Sequence, residues 1–131
     1  MWLPSCARRP ELNCSCSSSL DMEQHLKEEI ELLHSQMCQC VADPTRIMIL
    51  YALDEQPRYV GDLASDLSVS QPTISRHLKI LRDRGLVSAT REGQSMRYAL
   101  TDHRVIDALD LMRAMMADIL IQRADLAEGA G

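Results

Sequence analysis

The sequence predicts a mainly helical chain carrying one β-hairpin, an α+β arrangement of a single small domain. Three observations predict it. Apolar residues recur at helical spacing in five separate segments. Near the middle of the chain, a short stretch alternates with period two on either side of Gly93, as a hairpin requires. Phe is absent and Trp occurs once, so the core must rest on Leu, Ile, Val, Met and Ala, a bias that suits packed helices.

At 131 residues the chain supports one domain with a modest core. Residues 1–20 are rich in Ser, Cys and Pro without a sustained period and read as a disordered leader, with Met22 as an alternative start. No apolar run follows Arg8 and Arg9, so the leader is no secretory signal. Residues 21–122 are expected to form the domain, and 123–131 a flexible tail. No apolar run reaches the ~18 residues of a membrane helix, so no membrane partner is expected. The absence of export signals predicts a cytoplasmic protein with free thiols.

The first helix is expected from Asp21, a capping residue. Leu26, Ile30, Leu33, Met37 and Val41 then follow in one stripe. Asp43-Pro44 marks the next start, a capping side chain before a proline that loses no needed N–H. Ile47, Met48, Leu50 and Tyr51 carry that helix to about Leu53, and the segment 54–57 ends it.

Val60, Leu63, Ala64 and Leu67 stripe a third helix, and Ser68-Val69-Ser70 forms a tight turn. Ser70 is placed to accept from the N–H of Thr73, and Pro72 fits the first turn of the fourth helix. There Ile74, Leu78 and Leu81 share one face, while Thr73, Arg76 and Lys79 point away and Gln71, Ser75 and His77 lie on the flanks. Gly85 ends the helix where a positive φ is wanted. Residues 86–90 and 96–100 are the expected strands of the hairpin, with the turn between. Two strands alone are marginal and must pack on the helices.

Thr101-Asp102 caps the last helix. Val105, Ala108, Leu109, Met112, Met116, Ile119 and Leu120 give it a wide apolar face, broadened by Ile106, Met115 and Ile121. So small a domain has little core left to cover that surface. A homodimer through the first and last helices is therefore expected.

Two helices joined by a tight turn and followed by a hairpin form a winged helix-turn-helix, whose second helix enters a DNA major groove. Gln pairs bidentately with adenine and Arg with guanine, while Ser and Thr both donate and accept. The expected contacts are Ser70, Gln71, Thr73, Ser75, Arg76, His77 and Lys79 from the helix, and Arg91 and Arg97 from the wing. The chain carries a net charge of −5, yet residues 71–97 hold six bases and two acids, a net +4, leaving −9 for the remainder. A basic patch on an acidic body suits a protein that turns one face to phosphate. Binding of this kind needs no cofactor.

The segments Val41-Ala42-Asp43-Pro44-Thr45-Arg46-Ile47-Met48-Ile49-Leu50, Gly61-Asp62-Leu63-Ala64, Ser70-Gln71-Pro72-Thr73-Ile74-Ser75-Arg76-His77-Leu78-Lys79-Ile80-Leu81 and Gly85-Leu86-Val87 resemble, in wording and order, the ArsR/SmtB family of bacterial repressors. The resemblance covers about residues 25–122. It implies a dimer that binds an inverted-repeat operator and releases it when an inducer binds, often a metal, a metalloid or reactive sulfur. It also places Gln71, Thr73, Ser75, Arg76 and His77 at DNA-reading positions. One family sensing site would fall on Arg58-Tyr59-Val60-Gly61-Asp62, which has no thiol. Another would begin at Asp102 and His103, but Arg104 and Met115 stand where imidazoles are needed.

The remaining soft ligands are Cys14 and Cys16, Cys38 and Cys40, with Cys6 as the odd thiol. Thiolates bind As(III), Cd(II) or Pb(II), each a candidate inducer. Residues two apart on a helix diverge by about 200°, so Cys38 and Cys40 share an ion only if the helix frays before Asp43. Cys40 falls near the apolar stripe and reads equally as a small buried hydrophobe. Two other function classes remain open: a winged helix used only for protein contacts, and a thiol enzyme in which His34 serves Cys38 as base. No oxyanion-forming glycine loop or Cys-x-x-Cys motif supports the enzyme.

Overall fold

The structure is a computed structural model that describes residues 16–130, with side chains from Ser19 onward. Cys6, Cys14, the Cys16 side chain and the first fifteen residues of the expected leader lie outside it. The chain forms two units, one up to Gln39 and one from Cys40.

In the first unit, helix α1 spans Cys16–Leu33. It starts five residues before Asp21, so Asp21 sits inside the helix instead of capping it, and residues 16–20 of the expected leader are helical. A wider turn over His34–Cys38 follows, closed by a bond from the Gln39 N–H to the His34 carbonyl at 3.0 Å. That five-residue step breaks the 3.6-residue period, so the stripe expected through Met37 to Val41 does not continue on one α-helix. Leu26, Ile30 and Leu33 are exposed.

The second unit opens with a single 3₁₀ turn, Cys40–Ala42, and then α2, Pro44–Glu55. Asp43 caps α2 as its sequence implies, accepting from the N–H of Thr45 at 2.8 Å and of Arg46 at 3.3 Å. Burial works against ionisation of Asp43, but those two backbone donors outweigh it and hold the carboxyl below its usual range. Strand β1 is only Arg58–Tyr59. Helix α3 is Val60–Leu67 and helix α4 is Gln71–Asp83. Strands β2, Val87–Glu92, and β3, Ser95–Leu100, form the wing, and α5 runs Arg104–Gly129.

The core is aliphatic apart from the buried Cys40. Ile49, Leu50 and Leu53 of α2 pack with Leu63 of α3 and with Ile74, Leu78 and Leu81 of α4. Leu86, Val87, Ile106 and Leu109 close the cluster. Burying each of these side chains is worth about 1.5–3 kcal/mol. Ile49 is fully buried where the apolar pattern favoured Ile47, because α2 lies under several elements and buries a wide arc.

The wing departs from a simple hairpin. β2 reaches two residues and β3 one residue closer to the tip than the alternation implies, leaving Gly93 and Gln94 as the turn, with Gly93 at φ +63°. β1 adds a third strand in the order β1-β3-β2, pairing Arg58 with Tyr98 and Tyr59 with Arg97. This third strand ties the wing to the start of α3.

The N-terminal part of α5 is fastened to α2 by polar groups. Asp102 accepts from the N–H of Arg104 at 2.9 Å and pairs with its guanidinium. The Arg104 side chain and then its N–H pull the Asp102 pKa down to about 2. The Tyr51 hydroxyl donates to Asp110, and Arg113 lies over the Tyr51 ring at 5.3 Å. His103 bridges Asp54, at 2.6 Å from Nδ1, and Asp107, at 3.1 Å from Nε2. The Asp54 bond first, then the charges of Asp54 and Asp107, raises the His103 pKa above its ordinary value. A pKa raised in the folded state stabilises the fold fully below the unfolded value of about 6.5 and stops doing so as pH rises through the folded value. The melting-temperature gap between the wild type and His103→Gln is therefore expected to be widest below about pH 6 and to close as pH rises through the raised folded value. A gap that ignores pH would contradict the bridge. Beyond Leu109, α5 leaves the core and continues to Gly129, so residues 123–129, expected as a flexible tail, are helical.

Candidate nucleic-acid interface

The turn between α3 and α4 sets the geometry of the site. Ser68 adopts φ +54°, a left-handed conformation that ends α3, and the Val69 N–H returns to the Ala64 carbonyl at 3.1 Å. Left-handed backbone strains a residue with a Cβ, so surrounding contacts must hold it. Ser70 stands at the start of α4 but makes no side-chain cap bond to the backbone. Its hydroxyl instead lies 2.8 Å from the Thr73 hydroxyl, in a side-chain pair that displaces the expected bond to the Thr73 N–H.

Along α4 the buried face is Ile74, Leu78 and Leu81, each without exposed surface. That fixes the opposite face outward. Gln71, Ser75, Arg76 and Lys79 are exposed and Thr73 is half-buried. Arg76 Nη2 donates to Thr73 Oγ1 at 3.2 Å, and Lys79 lies 3.4 Å from Asp83. Both cations remain solvent-facing, where such pairs are weak and are readily exchanged for phosphate. Gln71 and Ser75 stand one helical turn apart with free hydrogen-bonding edges, as base readout demands.

His77 behaves differently. Its side chain is only 15% exposed and turns toward the start of α2. Arg46 Nη1 lies 3.4 Å from His77 Nδ1, and Asp43 Oδ1 lies 4.0 Å from Nε2. Arg46 also donates from Nε to the Cys40 carbonyl. The expected DNA-reading role of His77 therefore does not fit its orientation. Arg46 was not singled out from the sequence, because its partner is 31 residues away and no local pattern marks it.

The wing arginines also part company. In the register Thr90 faces Arg97 and Arg91 faces Met96, so Arg91 and Arg97 lie on opposite faces of the hairpin. Arg97 is paired with Glu92 at 3.3 Å, and Tyr59 donates its hydroxyl to the same carboxylate. The Tyr59 bond, then Arg97, lowers the Glu92 pKa. Arg91 Nε bonds the Gly93 carbonyl at 3.3 Å.

The thiols divide between the units. Cys38 is exposed in the first unit, and Cys40 is buried in the second. Burial pushes the Cys40 thiol pKa up, against the pull of Arg46 and Arg84, which reduces its thiolate fraction. Among the described residues, no group of three or more His, Cys, Asp or Glu is arranged to hold a metal ion. The stretch from Arg58 to Asp62 opens on a polar cavity where Arg58 pairs with Asp66 and Glu55 and no sulfur contributes. No helix among the described residues is long and apolar enough to cross a membrane.

Residues 43–89 match the family model described as "Bacterial regulatory protein, arsR family". That range spans α2 to the first part of β2, the helices and turn that carry the exposed face of α4. The "HTH-type transcriptional regulator CmtR" of Mycobacterium tuberculosis is 42% identical over 84 residues, covering 63% of this chain and 71% of that one. The "Probable mercury resistance operon repressor" of Streptomyces lividans is 40% identical over 78 residues, covering 60% of this chain and 62% of that one. Among solved structures, the crystal structure of Rv0081 from M. tuberculosis has a TM-score of 0.65 at 32% identity, covering 72% of this chain and 96% of that one.

Proposed function

The chain belongs to the ArsR family of bacterial regulatory proteins, and on that premise we propose that it is a homodimeric, sequence-specific transcriptional repressor that binds an inverted-repeat operator in double-stranded DNA. The observation that carries this reading is the exposed face of α4. Gln71, Ser75, Arg76 and Lys79 stand clear of a fully buried Ile74–Leu78–Leu81 stripe, within a net-positive stretch of an acidic chain. Arg91 supplies a further cation beside the groove, and Arg97 another if phosphate displaces Glu92. Such a protein works in the bacterial cytoplasm, and its relatives are regulators and not enzymes.

Duplex binding with a steep salt slope is the expected result. Gln71→Ala and Arg76→Ala should each weaken binding to the preferred duplex by about 1–3 kcal/mol, roughly five- to 150-fold, at constant salt. Unchanged affinity in both variants would remove the DNA-reading assignment.

Release by a thiophilic ion is the inducer reading, and it centres on Cys38, which is exposed. Cys40 is the poorer ligand because its buried thiol holds its proton. The leader thiols Cys14 and Cys16 are further candidates. Titrating the protein–duplex complex with Cd(II), Pb(II) and As(III) should dissociate it in the wild type and leave Cys38→Ser bound. Equal release of both proteins would exclude Cys38 as the sensor.

A further inference from the structure

We propose that Arg46 and His77 form a positioning pair that sets the rotation of α4 about its own axis, and so determines sequence discrimination without touching DNA; this rests on the reading of α4 as the DNA-reading helix. The argument starts with donor chemistry. Arginine can only donate, so His77 Nδ1, 3.4 Å from Arg46 Nη1, must accept. The ring proton then sits on Nε2, facing Asp43 Oδ1 at 4.0 Å. Asp43 is itself fixed by capping α2, through the N–H groups of Thr45 and Arg46. Arg46 is anchored a second time, from Nε to the Cys40 carbonyl. The imidazole is thus held at Nδ1 by Arg46, which is itself anchored at the start of α2, while the Asp43 carboxylate lies near Nε2 without a direct hydrogen bond.

The apolar face of α4 does not settle its rotation alone. Ile74, Leu78 and Leu81 lie on one side, and their apolar burial carries no directional bond. His77 stands on the flank, three residues after Ile74 and directly after Arg76. A directional contact there fixes the roll. A rotation of about 10° moves a side-chain tip ~6 Å from the helix axis by roughly 1 Å. That is enough to spoil bidentate hydrogen bonds from Gln71 or Arg76 to base edges, while leaving attraction to phosphate nearly intact.

The test uses the full chain and two probes: a duplex selected by the wild type from a random pool, and a scrambled duplex of the same composition. His77→Ala and Arg46→Ala should each lower the selected-to-scrambled affinity ratio roughly tenfold. Affinity for the scrambled duplex and its salt slope should stay at wild-type values. The double variant should fall no further than either single one, since both remove one contact. His77→Gln, whose amide can still accept from Arg46, should restore much of the ratio. Arg46→Lys keeps the charge but loses the fork and should not restore it, and it carries the test if Arg46→Ala fails to fold. An unchanged ratio in His77→Ala overturns the proposal. So does equal weakening on both duplexes with a salt slope smaller by about one, which would make His77 a phosphate contact. A wild type that does not distinguish the two duplexes is a different failure, that of the DNA-reading function itself.

Discussion

Met116→Asp is expected to convert the protein to a monomer and to weaken binding to the preferred duplex by roughly a hundredfold or more. The apolar stripe of α5 begins inside the core, at Ile106 and Leu109. It continues without a break in pattern through Met112, Met116, Ile119 and Leu120, all of which are exposed. A stripe half-used by its own core and half-open to water has the form of an interface with a second copy, and a two-fold dimer would bring two α4 helices to the two halves of an inverted repeat. A carboxylate in the middle of the open half would have to be buried unpaired on association. Sedimentation and duplex titration on the same sample check both parts. A variant that stays dimeric and binds as the wild type does would show that this stretch of α5 serves another purpose.

Leu78→Ala is expected to cost about 2–5 kcal/mol of folding stability. Leu78 has no exposed surface and sits in the cluster that joins α4 to α2 and α3. A small domain has only about 5–15 kcal/mol in total, so the variant should be marginal and melt at a visibly lower denaturant concentration. Ile80→Ala, two positions along the same helix, is the control. Ile80 is 40% exposed, and its loss should change stability by under about 0.5 kcal/mol. Similar costs at both sites, read by urea unfolding, would contradict the packing of α4 described above.

Features governed by short-range chemistry were legible in the sequence. Asp43 caps α2, Gly85 and Gly93 take positive φ, and Ile74, Leu78 and Leu81 are the buried face of α4. Each of these depends on residues a few positions apart. Strand β1 was not legible, because two residues carry no period and their partners on β3 are nearly forty residues away. The turn at His34–Cys38 was hidden because it changes the step of the backbone while leaving the apolar spacing of the sequence intact. Helix α5 outruns its apolar stripe, so the stripe marks the helix end too early. Ala, Leu and Glu in the last residues favour helix without it.

At the candidate site the same division holds. Gln71 and Ser75, which helical geometry puts on the flanks, are exposed, and the outward Arg76 and Lys79 follow from the inward set by geometry alone. His77 does not, since its orientation is decided by Arg46 and Asp43, which belong to another helix and its cap. Ser70 fails for a local reason, because the Thr73 hydroxyl competes with the Thr73 N–H for it. The wing arginines were distinguished only by the strand register.

On the proposed function, the exposed face of α4 reads base sequence. The most direct measurement is to select duplexes from a random pool with the wild type and with Arg76→Ala, side by side. The wild type should recover a symmetric pair of half-sites, and Arg76→Ala should keep that symmetry while losing preference at one position in each half. Recovery of the same preferences by both proteins, or of none by the wild type, would contradict it.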